Sequence, residues 1–520
     1  MLTEGDLFIV LGKGTEMFVK IILLVVFAAL NVAIGFMFRK QAANVKGFVL
    51  GGHSAGPWIS AFAYGTSYFS AVIFVGYAGQ FGWKFGLSAT WIGIGNALIG
   101  SLLAWSVLGR RTRIMTRHLN SSTMPEFFAA RFNSKALKPT ASAIIFIFLI
   151  PYTASLYNGL SRIFGLAFNI DFTICVVIMA ALTAVYVVAG GYLATAVNDF
   201  IQGIIMLAGI VAVIATVLTR NGGFSAAVMS LANVSDPSVS TQPGVFASFF
   251  GPDLGSLVGV IILTSLGAWG MPQMVHKFYA IKNEKSIKAG TVISTFFALI
   301  VAGGCYFLGG FGRISSVDIS MGFDSVIPSM IQAFPDLLIG VVVMLVLSAS
   351  MSTLSSLVMT SASTLTLDLI KDIFVKDMKE KKQMLIIRIL IVVFIVVSVV
   401  VALLQYNYGF AFIAQLMGIS WGALAGSFLG PFAFGLFWKR TTKASVVASF
   451  IFGVGFTVSN MYFKFIASPV TAGAIAIVAS CVVVPLVSLI TKKPDEEHID
   501  KVFSCYRETV VKQLAVEDTD

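Results

Sequence analysis

Asp336-Leu-Leu-Ile-Gly-Val-Val-Val-Met-Leu-Val-Leu-Ser-Ala-Ser-Met-Ser-Thr-Leu-Ser-Ser356 decides how the rest of this 520-residue sequence is read. Its first half is apolar almost without interruption, and its second half keeps the apolar frame while filling it with hydroxyls. From Ser348 to Thr366, eleven of nineteen positions are Ser or Thr. A helix of about 20 apolar residues spans the hydrocarbon of a bilayer, and polar groups placed inside such a span are costly and mark function. Ser352, Ser355 and Ser356 follow the i, i+3, i+4 spacing of one helix face, and Thr353 flanks it. Two readings are open at this point. The face presents several oxygens to a cation that has shed its water, or the hydroxyls bond back to their own helix and allow close packing.

The surrounding composition agrees with a membrane span. Hydrophobic residues make up 57% of the chain and charged residues only 11%, against about 25% in soluble domains; the mean hydropathy is +0.91. So few charges cannot cover a soluble protein of this size, which excludes a water-soluble enzyme and leaves no room for a large soluble domain. Apolar runs fall at about 17–37, 58–82, 89–108, 139–168, 171–189, 196–218, 254–276, 287–310, 336–367, 384–405, 408–437, 444–466 and 469–491. Runs of this length are helices, because barrel strands are shorter and alternate. The predicted fold class is an all-α polytopic membrane protein with about 13 transmembrane helices.

An odd number of crossings puts the termini on opposite sides. With the N-terminus outside, the inner segments hold 28 Lys and Arg and the outer ones 7, which sets the N-terminus outside and the C-terminus inside. The net charge of +11 then reflects cytoplasmic loops, Lys277 to Lys288 among them, and not a nucleic-acid surface; no nucleic-acid partner is expected. Cys175, Cys305, Cys481 and Cys505 show no paired spacing, and the four histidines form no ligand cluster. The acidic start lacks the basic region of a cleaved signal peptide, so the first run reads as a retained helix. The tail from Lys492 reads as a solvated or peripheral cytoplasmic segment.

Ionisable residues are nearly absent from helix centres; only Asp199 looks partly embedded, and it also suits a helix N-terminal cap. Sodium needs no such carboxylate, since neutral hydroxyl and carbonyl oxygens bind it. In the second run, Phe62-Ala-Tyr-Gly-Thr-Ser-Tyr-Phe-Ser70 places small polar residues at mid-membrane depth, and the seventh run contains Ser265-Leu-Gly-Ala-Trp-Gly-Met-Pro272. Helices that unwind there free carbonyls, which is tolerated only where they line a cavity or an ion. Glycine packing accounts for either segment alone. Two interrupted helices five spans apart, together with the hydroxyl face, point to an inverted-repeat transporter.

Several ordered motifs carry a resemblance. Phe48-Val-Leu-Gly-Gly-His-Ser-Ala-Gly-Pro57, with His53 where Arg is usual, Thr123-Met-Pro-Glu-Phe127 with Arg131-Phe132, and Gly190-Gly191 followed by Asn198-Asp199 and Gln202 come first. Pro272 to Tyr279, Met351-Ser-Thr-Leu-Ser355 and Gly435-Leu-Phe-Trp-Lys-Arg440 follow. In this series the chain resembles the sodium:solute symporter family, whose members carry proline, sugars, sialic acid, pantothenate or monocarboxylates. The resemblance implies a five-plus-five inverted-repeat, LeuT-like core. Residues 1–57 would form an N-terminal extra helix and inner loop, 58–437 the core (58–218 the first repeat, 254–437 the second), 438–491 the C-terminal extra helices and 492–520 the cytoplasmic tail. It implies a first sodium site at the hydroxyls of Ser352 and Thr353 and the carbonyls of Thr66, Phe69 and Ala349. A second sodium site, present in some members, would fall on Asp199, Ser352, Ser355 and Ser356.

The resemblance narrows the solute only partly. Tyr68 stands where proline carriers have an aspartate and resembles the pantothenate and organic-acid branches. Tyr64, Tyr68, Ser70, Tyr157, Asn158, Trp269 and Gln415 are the expected cavity residues, each equally readable as packing. With no basic residue seen at mid-membrane, an anionic solute would rely on helix N-termini or on Arg162. The expected function is sodium-coupled symport of a small organic solute, of organic-acid or amino-acid type, by a multi-pass plasma-membrane protein. Its partners are the solute, sodium and the lipid bilayer, it has no cofactor and no metal beyond sodium, and it is not an enzyme. A proton-coupled carrier of the same fold is the alternative, with Asp199 as its titrating group.

Overall fold

The computed structural model describes residues 4–517 except 316, 318, 320, 321, 333, 376 and 410, with side chains from Met17 to Arg507 apart from these and His53. Among the described residues ten helices are long and apolar enough to cross a membrane, or eleven if one bent pair counts as a single span. We label the helices α1 (Glu4–Met37), α2 (Pro57–Tyr68), α3 (Val72–His118), α4 (Leu137–Phe168), α5 (Phe172–Arg220), α6 (Leu254–Gly270) and α7 (Pro272–Ala280). The second half of the chain adds α8 (Glu284–Gly310), α9 (Asp336–Phe374), α10 (Glu380–Tyr408), α11 (Ile413–Phe437), α12 (Lys443–Phe463), α13 (Pro469–Ile490) and α14 (Glu496–Glu517). No strand occurs among the described residues beyond isolated bridges.

Long helices and apolar runs differ in number because α3 and α5 each carry two runs past a turning glycine. At Gly191 the backbone takes φ +60° and ψ −162°, a region open to glycine alone at low cost. A Cβ there would stand 2.9–3.1 Å from Phe48, so the second half of α5 sits directly on the residues leading into α2. In α3 the turn falls at Gly86, φ +63°.

The core is layered by how much apolar surface each helix keeps from lipid. In α11, 83% of the apolar window lies inside the protein, against 22% in α1 and 39% in α10. α11 packs on α12, α13 and α4, while α9 lies against α5, α4 and α2, and α8 covers α2 and α3. The outer faces of α10 and α13 stay apolar and exposed, with Val396, Val400, Leu404, Val482 and Leu486 pointing outward. Apolar side chains on that surface meet lipid tails and cost nothing there, whereas in water such a band would drive aggregation.

One sequence expectation is narrowed and one is corrected. Of the two readings of the tail, solvated or peripheral, the structure favours a peripheral helix: α14 buries Ile499, Val502, Phe503 and Cys505 against the C-terminal ends of α3 and α11. Tyr506 Oη donates to the Leu436 carbonyl at 3.2 Å, and Lys439 Nζ meets Asp500 at 2.6 Å. The spacing of those apolar residues is that of one helix face, which the tail's high charge content masked. Lys277, assigned to an inner loop, lies within α7 and is 2% exposed.

Candidate cation site and buried polar pocket

α2 ends where its backbone leaves the helix at Phe69, φ −106° and ψ 98°, and helical winding resumes at Val72. The Phe69 N–H still closes on the Gly65 carbonyl at 3.0 Å, but the carbonyls of the last turn have lost their partners three and four residues on. α9 supplies replacements. Thr353 Oγ1 lies 3.1 Å from the Thr66 carbonyl, 3.0 Å from the Ala349 carbonyl and 3.4 Å from the Ser67 carbonyl. Ser352 Oγ lies 3.1 Å from the Thr66 carbonyl, 3.0 Å from the Ser348 carbonyl and 3.1 Å from the Ala349 carbonyl.

Four of the five oxygens expected of the first site, those of Thr66, Ala349, Ser352 and Thr353, therefore converge in one fully buried place. The Phe69 carbonyl makes no hydrogen bond to either hydroxyl. The carbonyls of Ser67 and Ser348 join the cluster, which sequence reasoning did not find. Each hydroxyl has one proton for several acceptors, so oxygen lone pairs outnumber donors. Such a cage gains from a cation that turns both hydroxyl lone pairs inward.

The second expected set is spread differently. Ser355 Oγ is turned to its own helix, donating to the Ser352 carbonyl at 2.9 Å. Ser356 Oγ sits between Ser67 Oγ at 2.8 Å and Lys277 Nζ at 2.9 Å. Lys277 Nζ is 3.6 Å from Asp199 Oδ2, with the two side chains 2% and 1% exposed. Asp199 lies two turns past Gly191 inside α5 and caps no helix; its carboxylate oxygens accept no hydrogen bond among the described residues. Lys277 is thus a basic residue buried inside the protein beside Asp199, whereas the sequence alone reads it as part of a loop. α6 and α7 form the second broken span, bent by 45° at Met271, whose φ −80° and ψ 122° are extended. The short α7 then carries Lys277 inward instead of out to the loop.

Of the expected solute residues, Tyr64, Tyr68, Ser70 and Trp269 collect around the break in α2. Tyr64 Oη donates to the Gly100 carbonyl at 2.6 Å, Tyr68 Oη to the Thr264 carbonyl, and Trp269 Nε1 to the Ile99 carbonyl at 2.9 Å. Tyr68 stacks on Phe69 with ring centroids 4.3 Å apart and on Trp421 at 6.1 Å. Ser70 Oγ accepts from the Val72 N–H at 3.2 Å. Sequence reasoning missed Asn96, whose Oδ1 accepts from Ser265 Oγ at 2.9 Å. It also missed Tyr152, Tyr306 and Ser420; these, with the Asn96 amide nitrogen, hold buried polar atoms without a hydrogen-bond partner.

Three further residues have other contacts, Tyr157 and Asn158 next to Gly159, which packs on Ala71 just past the break. Asn158 Nδ2 donates to the Ala154 and Ala402 carbonyls at 3.1 and 3.4 Å, and the buried Tyr157 hydroxyl has no partner among the described residues. Gln415 caps α11 by accepting from the Phe412 N–H at 3.1 Å and lines a separate cavity of 560 Å³ with Asn460 and Lys464. Arg162 is paired with Asp324 at 3.8 Å, and Asp324 also accepts from the Ile413 N–H at 3.2 Å. That pairing removes Arg162 as a free anion receptor.

Two broken spans, a buried oxygen cage at the first break and a belt of lipid-facing apolar residues define a secondary transporter. A family model described as the sodium:solute symporter family matches residues 48–453. The chain belongs to that family, and it is a multi-pass plasma-membrane transporter, not an enzyme. The osmoregulated proline transporter OpuE of Bacillus subtilis is 28% identical over 430 residues, 81% of this chain and 84% of its own. The sodium/proline symporter of Staphylococcus aureus is 28% identical over 509 residues, covering 94% and 96%. Among solved structures, a Na+-coupled sialic acid symporter in its substrate-bound outward-open state matches with a TM-score of 0.72 at 15% identity, covering 92% of this chain and 98% of that one. The last likeness shows a shared fold.

Proposed function

We propose that this protein imports a small organic solute, of organic-acid or amino-acid type, together with sodium by alternating access. Sodium binds the hydroxyls of Ser352 and Thr353 with the carbonyls of Thr66, Phe69 and Ala349. The observation that carries this reading is the meeting of both hydroxyls on the Thr66 carbonyl at 3.1 Å, where α9 faces the break that ends α2. An ion held there ties the two helices together and sets the break that borders the solute pocket. Sodium thereby tightens solute binding, and solute must tighten sodium binding by the same factor.

The solute pocket is the group around Tyr64, Tyr68, Ser70 and Trp269, with Asn96, Tyr152 and Tyr306 as its unpaired hydrogen-bonding groups. Two relatives are proline carriers by name, which keeps amino acids in the class. The Tyr68 hydroxyl, which stands in place of an acidic side chain, already donates to the Thr264 carbonyl, so this residue offers the solute its ring and its oxygen lone pairs and no charge. The reading keeps thirteen crossings in a five-plus-five inverted repeat, N-terminus outside and C-terminus inside, which the excess of Lys and Arg in one set of loops supports.

The test is uptake into proteoliposomes of a radiolabelled amino-acid and monocarboxylate panel, preselected by thermal shift with and without sodium. Accumulation under an inward sodium gradient, lost in Ser352→Ala with Thr353→Ala, is the expected result. Uptake that continues when choline replaces sodium at a fixed proton gradient points instead to proton coupling, and full retention in the double variant rules out this ion site.

A further inference from the structure

Two of the four residues that the family resemblance implies for a second sodium ion, Asp199 and Ser356, already face a cation belonging to the chain. Lys277 Nζ donates to Ser356 Oγ at 2.9 Å, stands 3.6 Å from Asp199 Oδ2 and lies 5.3 Å from the centre of the Tyr192 ring. All of these side chains are buried. An ammonium carries the same unit charge as sodium, and here it sits between the carboxylate and the hydroxyl that would hold the ion.

We propose that Lys277 is a tethered cation that fills the second ion position and limits this transporter to one sodium ion per cycle. The inference rests on the reading of the Ser352–Thr353 cage as the sodium site. Two unit positive charges within a few ångströms in a water-poor cage repel strongly, so sodium cannot join Asp199 while Lys277 is in place. Asp199 fits this role. A buried carboxylate with no hydrogen bond among the described residues needs a counter-charge, and Lys277 is the cation paired with it. A free ion would have to be lost and regained in every cycle; a side chain stays.

The position also reports on the first cage. Ser356 Oγ hydrogen bonds Ser67 Oγ at 2.8 Å, and Ser67 follows Thr66, whose carbonyl forms the first site. Lys277 therefore holds the last turn of α2 through Ser356. In a chain with a small residue at position 277, Asp199 and Ser356 become an open oxygen set for an ion from solution.

The experiment is equilibrium binding of 22Na+ to the purified full chain at saturating sodium, counted per protein molecule. The wild type is expected to bind one ion, Ser352→Ala/Thr353→Ala none, Lys277→Arg one, and Lys277→Ala two. The melting temperature of Lys277→Ala should also rise more steeply than the wild type's when choline chloride is exchanged for sodium chloride. Two ions in the wild type overturn the proposal without any variant, and so does one ion in a folded, monodisperse Lys277→Ala. If that variant does not fold, Lys277→Gln carries the test with the same two outcomes. Absence of binding by the wild type counts against the Ser352–Thr353 cage alone; a gain of one ion in Lys277→Ala then still supports the tethered cation, and no gain overturns it.

Discussion

Two oxygen clusters lie side by side on α9 and solve the same problem differently. Around Ser352 and Thr353 every contributing group is neutral: two hydroxyls against the carbonyls that a broken helix leaves over. Around Ser356 the cluster holds a full negative and a full positive charge, from Asp199 and Lys277, 3.6 Å apart. The neutral cluster is stable as it stands, because each hydroxyl has an acceptor, and it can take up or release an ion at small cost. The charged cluster cannot lose either member without leaving the other buried and unpaired. Reversible binding belongs to the first and permanence to the second.

The largest effect should come from breaking the permanent cluster. Asp199→Asn leaves the Lys277 ammonium without its counter-charge, at a cost of about 3–5 kcal/mol. It should appear as a large fall in melting temperature of the detergent-solubilised protein, and Asp199→Asn with Lys277→Met should recover most of it. No loss in the single variant would mean that the two groups are not charged together.

Next comes the reversible cluster. At sodium about 100-fold above its dissociation constant, binding stabilises the native state by about 2.7 kcal/mol. Exchange of choline chloride for sodium chloride should raise the wild-type melting temperature accordingly. Ser352→Ala with Thr353→Ala should abolish that difference while changing the melting temperature in choline far less than Asp199→Asn does.

A smaller effect separates the clusters by their scaffolds. Gly191→Ala forces a side chain into a glycine conformation at a cost of about 1–3 kcal/mol, and Cβ meets Phe48 at 2.9 Å. It displaces the half of α5 that carries Asp199, whereas Ser352 and Thr353 are carried by α9 and Thr66 by α2. The sodium-dependent rise in melting temperature should therefore persist at a lowered baseline, and its loss would show that α5 also sets the neutral cluster.

The smallest effect is at the ion pair of Asp236 and Arg313, where only the carboxylate reaches water. The Asp236 carboxyl accepts from Ser238 and from Arg313, and both hold it below the usual carboxylate range. A depressed folded value adds stability above the unfolded value near 3.9 that disappears as pH falls through the folded value. The Arg313 and Asp236 side chains are 4% and 28% exposed, and ion pairs open to solvent on one side are worth about 1 kcal/mol or less. The melting temperature should lose no more than that share of its fall between pH 5 and pH 3 in Asp236→Asn. A larger change would mean that the buried Arg313 depends on Asp236 more than a surface pair does.

Much of the architecture was legible in the sequence because membrane helices announce themselves by length and hydropathy. The two breaks were legible because Gly65 to Ser70 and Gly267 to Pro272 interrupt apolar runs with residues that do not favour a continuous helix. The hydroxyl face of α9 followed from spacing alone. Lys277 was not legible, because Lys282, Lys285 and Lys288 follow closely and all four read as one loop cluster. The signal that could have separated it is Pro272, a residue suited to the first turn of a helix, with Lys277 beyond it between His276 and the aromatic pair Phe278-Tyr279. Gln415 was placed in the pocket on residue type, whereas it serves the start of α11. Arg162 was left free because Asp324, more than 160 positions away, cannot be matched to it in one dimension. The helix that docks the tail was hidden by charge count, although Ile499, Val502, Phe503 and Tyr506 keep a helical period.

Thr66 and Ser67 are consecutive, and the peptide that joins them has one end in each cluster: the Thr66 carbonyl in the neutral one, the Ser67 side chain in the charged one. Any tilt of the last turn of α2 is consequently reported to both at once. The last turn of that helix behaves as a two-key lock, in which an arriving ion turns one key while the other, forged into the chain, is already in place.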